Sequence, residues 1–129
     1  MWRRPTKTQA RAAVWALRAH IVTRRQLRTR EVEQVVVPTA PGLGVEATRG
    51  VDVVLRLTRA TCLERSVVLQ QWYKAQGIAR DVVIGVTAPR AGFRAHAWLE
   101  EPGMLTHTEF TEITRLPGAS AAAMGGSTR

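Results

Sequence analysis

Two periods divide the chain. Up to Gly77, apolar positions recur at intervals of three and four, the spacing of one helix face; after it they alternate, the spacing of a strand. Residues 6–27 predict a first helix with Ala10, Ala13, Val14, Leu17 and Ile21 as its apolar stripe, broadened by Trp15, with Arg11, Arg18 and Arg25 elsewhere on the wheel. Residues 30–37 fit a helix through Val32, Val35 and Val36, and equally a β-branched strand. Pro38, Pro41, Gly42 and Gly44 predict a loop. A weaker helical pattern follows over 45–59 through Val51, Val54, Leu55 and Thr58, with Gly50 against it.

Residues 61–77 read as one further helix. Thr61 or Thr58 can cap its start, Glu64 lies in its first turn, and Gly77 suits a left-handed stop. Cys62, Ser66, Leu69 and Tyr73 share one face of it.

Beyond Gly77, residues 81–87 predict a buried strand and 88–92 a turn. Residues 93–100 form the second strand, with Phe93, Ala95, Ala97 and Leu99 on one face and Arg94, His96, Trp98 and Glu100 on the other. Glu101-Pro102-Gly103 turns the chain into a third strand over 104–110, and 112–116 extends the sheet. The expected architecture is α+β: N-terminal helices and a cysteine-bearing helix packed on a small antiparallel sheet of three or four strands. One domain spans 1–117, helical over 1–59 and built of the Cys helix and sheet over 60–117. The small-residue tail, 118–129, is expected to be disordered.

A chain of 129 residues supports a single core. No apolar run approaches the ~18 residues of a membrane span, and the charged start, Met1 to Lys7, lacks a following apolar signal region. The expected location is the cytoplasm. A single cysteine excludes an internal disulfide and a cysteine-built zinc cage, and no metal or cofactor is implied. The net charge of +9 would suit nucleic acid or acidic partners. The arginines are scattered, however, and the densest cluster, Arg24-Arg25 to Arg30, lacks the interleaved aromatics of a single-strand binder. Nucleic-acid binding is the lesser reading.

Chemistry concentrates on Cys62 and His96. A thiol in the first turn of a helix sits at the positive end of the macrodipole, the setting that favours a thiolate nucleophile. Attack on a carbonyl also needs a base within hydrogen-bond reach, and imidazole suits that exchange at neutral pH. A helix docked across a sheet can bring a first-turn thiol to a strand histidine. The competing readings are a buried structural cysteine and a histidine satisfied in the core or half-exposed on a sheet face.

Four blocks in order, Thr61-Cys62-Leu63-Glu64-Arg65-Ser66, Gly77-Ile78-Ala79-Arg80, Val83-Ile84-Gly85-Val86 and Ala95-His96-Ala97-Trp98-Leu99-Glu100, resemble the lasso-peptide leader peptidases. These are transglutaminase-like cysteine peptidases with a papain-like core. The resemblance implies removal of the leader from a ribosomally made lasso precursor, next to a threonine near the leader's end. Cys62 would be the nucleophile and His96 the base and later the acid. Members of that family carry an Asp about a dozen residues past the histidine; this chain has none there, leaving Glu109 as the nearest carboxylate and Thr108 as a neutral alternative. On strict strand parity Glu109 lies with Leu105 and His107, opposite Thr106 and Thr108, so a bulge or early turn would be needed to bring it round.

The backbone N–H of Cys62 is the natural oxyanion donor. No further leader-binding domain fits in 129 residues, so the implied partners are the lasso precursor, a separate leader-recognition protein and an ATP-dependent lasso cyclase, with no membrane. A catalytically impaired scaffold that binds leader or cyclase is the alternative. Arg65 and Arg94 either grip an acidic leader or partner surface, or are solvated or pair with Glu64 and Glu100.

Overall fold

A computed structural model describes residues 6–87, 94–101 and 110–118. Helix α1 runs over Lys7–Leu27, α2 over Thr48–Leu57 and α3 over Cys62–Ala75, with short 3₁₀ turns at Val32–Gln34 and Val45–Ala47. Strands β1, Val82–Thr87, β2, Ala95–Leu99, and β3, Phe110–Leu116, form one antiparallel sheet in the order β2-β1-β3. The α+β expectation holds. No helix among the described residues is long and apolar enough to cross a membrane.

Thr6 starts α1 with a capping box: its hydroxyl accepts from the Gln9 N–H at 3.1 Å, and the Gln9 side chain accepts from the Thr6 N–H at 3.0 Å. The helix does not bury the expected face. Ala12, Trp15, Ala16, Ala19, His20 and Thr23 point into the core, while Val14, Leu17 and Ile21 stand 72%, 45% and 45% exposed. Small side chains explain the choice, because they let α2 come close. Gly50 of α2 lies so near α1 that a Cβ there would run into the Gln9 carbonyl. The glycine that weakened the helical pattern is thus the contact that lets the two helices pack.

Trp15 and Trp72 fill the space between α1 and α3 with ring centroids 5.8 Å apart. Each indole keeps a partner: Trp15 Nε1 donates to the Pro38 carbonyl at 3.2 Å, and Trp72 Nε1 to the Thr48 hydroxyl at 2.8 Å. Val51, Leu55, Val68 and Leu69 complete this core. The ambiguous segment at 30–37 is a 3₁₀ turn that leaves through Val35 in extended conformation, so it is neither regular helix nor strand.

β1 is central. It pairs with β2 through Val83↔Trp98 and Gly85↔His96, and with β3 through Thr87↔Phe110 and Val82↔Leu116. The β1–β3 register shifts at Ile84/Gly85. The third strand, expected over 104–110 with 112–116 extending it, is described from Phe110 onward; residues 102–109 lie outside the described residues. So do the expected turn at 88–92 and the tail past Gly118. Gly118 itself, expected in the tail, is buried, and its N–H donates to Asp81 at 2.8 Å.

One arginine staples the sheet. Arg115 of β3 contacts Asp81 before β1, Glu100 after β2, and Glu112 of its own strand. Its hydrogen bond draws the Asp81 carboxyl below the ordinary carboxylate range despite burial, and lowers Glu112 likewise.

Candidate active site

Cys62 occupies the first position of α3 and is exposed. The turn that carries it is unusually constrained. Thr61 caps it, its hydroxyl accepting from the Glu64 N–H at 3.1 Å, while Glu64 Oε1 accepts from the Thr61 N–H at 3.0 Å. Ser66 donates back to the Cys62 carbonyl at 2.8 Å.

Glu64 does more than cap. Its carboxylate is buried and accepts from His20 Nε2 at 2.9 Å, from Arg24 Nε at 3.0 Å and from Arg24 Nη2 at 3.0 Å. Burial alone would raise its pKa; the hydrogen bonds from Arg24, His20 and the Thr61 N–H outweigh that and hold it at about 2. The first turn of α3 is therefore fastened to the C-terminal half of α1.

The sulfur lies against the free edge of the sheet. In the antiparallel β1–β2 ladder, Thr87 bonds to Arg94 and Glu100 to Asp81. That alternation turns the backbone groups of Ala95, Ala97 and Leu99 away from β1, because hydrogen-bonded and non-bonded pairs alternate along a ladder. The Ala97 N–H donates outward to Cys62 Sγ at 3.3 Å. The residue before it is His96, so the thiol sits one peptide from the histidine's own backbone.

The side chains divide as the alternation predicts. Ala97 is buried. On the other face the His96 ring lies over Trp98, with centroids 5.7 Å apart at 22°, and beside Phe110 of β3 at 5.2 Å. Gly85, opposite His96, leaves space for this group: a Cβ there would come within 3.1 Å of Phe110 Cβ and 3.2 Å of Trp98 Cη2. The glycine lets three aromatic rings, two from β2 and one from β3, gather on the sheet face that bears the histidine.

Of the residues expected at the site, Cys62 and His96 fall on adjoining elements, α3 and the edge strand β2. Glu109 and Thr108 lie outside the described residues, directly before Phe110 in sequence. The expected pairings of Arg65 and Arg94 differ. Arg65 bonds to Asp52 of α2 at 3.0 Å, because Glu64 turns inward to His20 and Arg24. Glu100 goes to Arg115. Among the described residues no group of His, Cys, Asp and Glu is arranged to hold a metal ion.

Sequence reasoning missed three participants. Ala97 contributes only its amide, which carries no side-chain signal. His20 and Arg24 share one helix face at i,i+4 spacing, a pattern that could have marked them as partners for a buried acid.

A family model described as Transglutaminase-like superfamily matches residues 3–115. Comparison with curated proteins and with solved structures finds no match.

Proposed function

This chain belongs to the transglutaminase-like superfamily, a cysteine-peptidase type of fold, and on that premise we propose that it is a cysteine peptidase that removes the leader from a lasso-peptide precursor. The observation that carries the reading is the placement of Cys62 Sγ, at a capped helix start, 3.3 Å from the amide that follows His96.

The chemistry follows from the groups present. Cys62 sulfur attacks the carbonyl carbon of the scissile peptide as His96 takes the thiol proton. The carbonyl oxygen becomes an oxyanion, and the Cys62 backbone N–H at the start of α3 is a donor for it. The C–N bond then breaks, His96 returns its proton to the leaving amine, and the leader stays on sulfur as a thioester. Water, deprotonated by His96, attacks the thioester and frees Cys62. Glu109, or Thr108 through a neutral hydrogen bond, orients the imidazole; the return of the chain to His96 at Phe110 supports one of these two for the role. The precursor is presented by a separate leader-recognition protein, and the released core passes to an ATP-dependent cyclase.

The test is cleavage of a lasso precursor in the presence of its leader-recognition protein, followed by mass spectrometry. Wild-type protein should release intact leader and core. Release by Cys62→Ala at the wild-type rate would sink the proposal. Hydrolysis of other thioesters or peptides, but not at the leader–core junction, would leave a cysteine hydrolase with a different substrate.

A further inference from the structure

The outer face of α1 carries two adjoining stripes. Ala10, Val14, Leu17 and Ile21 make an apolar one, all exposed. Beside it run Lys7, Arg11, Arg18 and Arg25, also exposed, and the helix holds no acidic residue. Core packing does not use this face: α2 and α3 cover the opposite side through Ala12, Ala16 and Ala19. A groove of about 460 Å³ opens along it, floored by Val14, Trp15 and Pro41, with Arg11 and Arg18 at its rim. These two arginines are two helical turns apart, about 10.5 Å along the axis. Among the described residues, no carboxylate lies within ion-pair distance of Arg11, Arg18 or Arg25; the acids near α1 go elsewhere, Glu64 to Arg24 and Asp52 to Arg65.

We propose that this face docks an acidic, apolar-patterned peptide segment of a partner protein, whose aliphatic side chains seat on Val14, Leu17 and the groove floor while its carboxylates meet Arg11 and Arg18. Charge selects the occupant. A second copy of this chain would set one arginine row against another on molecules of net charge +9. The chain's own residues 119–129 contain no Asp or Glu. An acidic membrane suits the charge, but interfacial helices rely on aromatic and long apolar side chains, and the one aromatic residue of α1, Trp15, is buried. A peptide needs what the groove offers: a short apolar floor and two cations at a fixed spacing.

The proposal is independent of the peptidase reading, because nothing in this face includes Cys62 or His96. The test is a random-peptide display selection on the full-length protein, with binding of the enriched peptides measured by fluorescence anisotropy. The expected peptides are rich in Asp and Glu interspersed with Leu, Ile or Val. Their affinity should fall about tenfold or more in the Arg11→Glu/Arg18→Glu protein and in Val14→Asp, and should weaken with added salt. These are surface positions, and an unchanged circular dichroism spectrum confirms that each variant folds. Enriched peptides without acidic bias, or equal affinity for the variants, would overturn it. So would binding of phosphatidylcholine vesicles containing phosphatidylserine that is lost in the same variants, or concentration-dependent dimers lost in Val14→Asp.

Discussion

Glu64 of α3 and His20 of α1, forty-four positions apart in the chain, meet at 2.9 Å with both side chains buried. The same carboxylate closes the capping box on Thr61. One side chain thus caps the start of a helix, satisfies a buried imidazole and binds Arg24, and it does so two residues from the thiol. The position of Cys62 against β2 depends on this joint.

Replacing Glu64 by Ala removes every acceptor that His20, Arg24 and the Thr61 N–H use. Stranded buried donors and a lost cap should together cost about 2–4 kcal/mol. Glu64→Gln keeps an acceptor and should cost less. Urea denaturation of the three proteins measures the order.

Acid should separate the same proteins less. The Glu64 carboxyl titrates at about 2 in the fold, against an ordinary value of 4.5. A lowered folded-state pKa contributes stability that is present in full above the unfolded value and disappears as pH falls through the folded one. The gap between wild type and Glu64→Gln should therefore hold at neutral pH and shrink between about pH 5 and pH 2, by at most about 3 kcal/mol. Urea midpoints across that range would show it; a gap independent of pH would refute the assigned ion pair.

Gly50→Ala offers a test of the α1–α2 contact. In an exposed helix interior this change stabilises by up to about 1 kcal/mol. Here the added methyl meets the Gln9 backbone, which is no flexible side-chain end, so a loss of about 1–3 kcal/mol is expected. Thermal unfolding decides the sign.

Ala97→Pro probes the amide at the sulfur. Its N–H lies on the outer edge of β2 and takes no part in the β1 ladder, a place where proline is tolerated in a sheet. The fold should survive by circular dichroism, while thiol reactivity falls about tenfold or more as the sulfur loses its donor. Unchanged reactivity would show that the Ala97 contact does not matter to the site.

Much of this was legible in the residues. The Thr61 cap with Glu64 in the first turn could be read from the residues, and the alternation through His96 set Ala97 on one face and Trp98 with the imidazole on the other. The buried face of α1 was not legible. Hydrophobicity favours Val14, Leu17 and Ile21, whereas packing chose alanines, because Gly50 made close approach worth more than bulk. Nor did sequence reveal that Glu64 turns inward: a first-turn acid reads as a solvated cap until a histidine and an arginine from another helix arrive to bury it. The backbone donor at Ala97 could be seen only once the ladder had shown which edge of β2 is free.

The central claim is that Cys62 is a nucleophile served by His96. Its most direct test is the rate of iodoacetamide alkylation of Cys62 in the folded protein across pH, in wild type and in His96→Ala. A working pair predicts that wild type reacts at about pH 6 at least tenfold faster than His96→Ala, and faster than a free thiol. Equal rates in the two proteins, both following a free thiol, would contradict it.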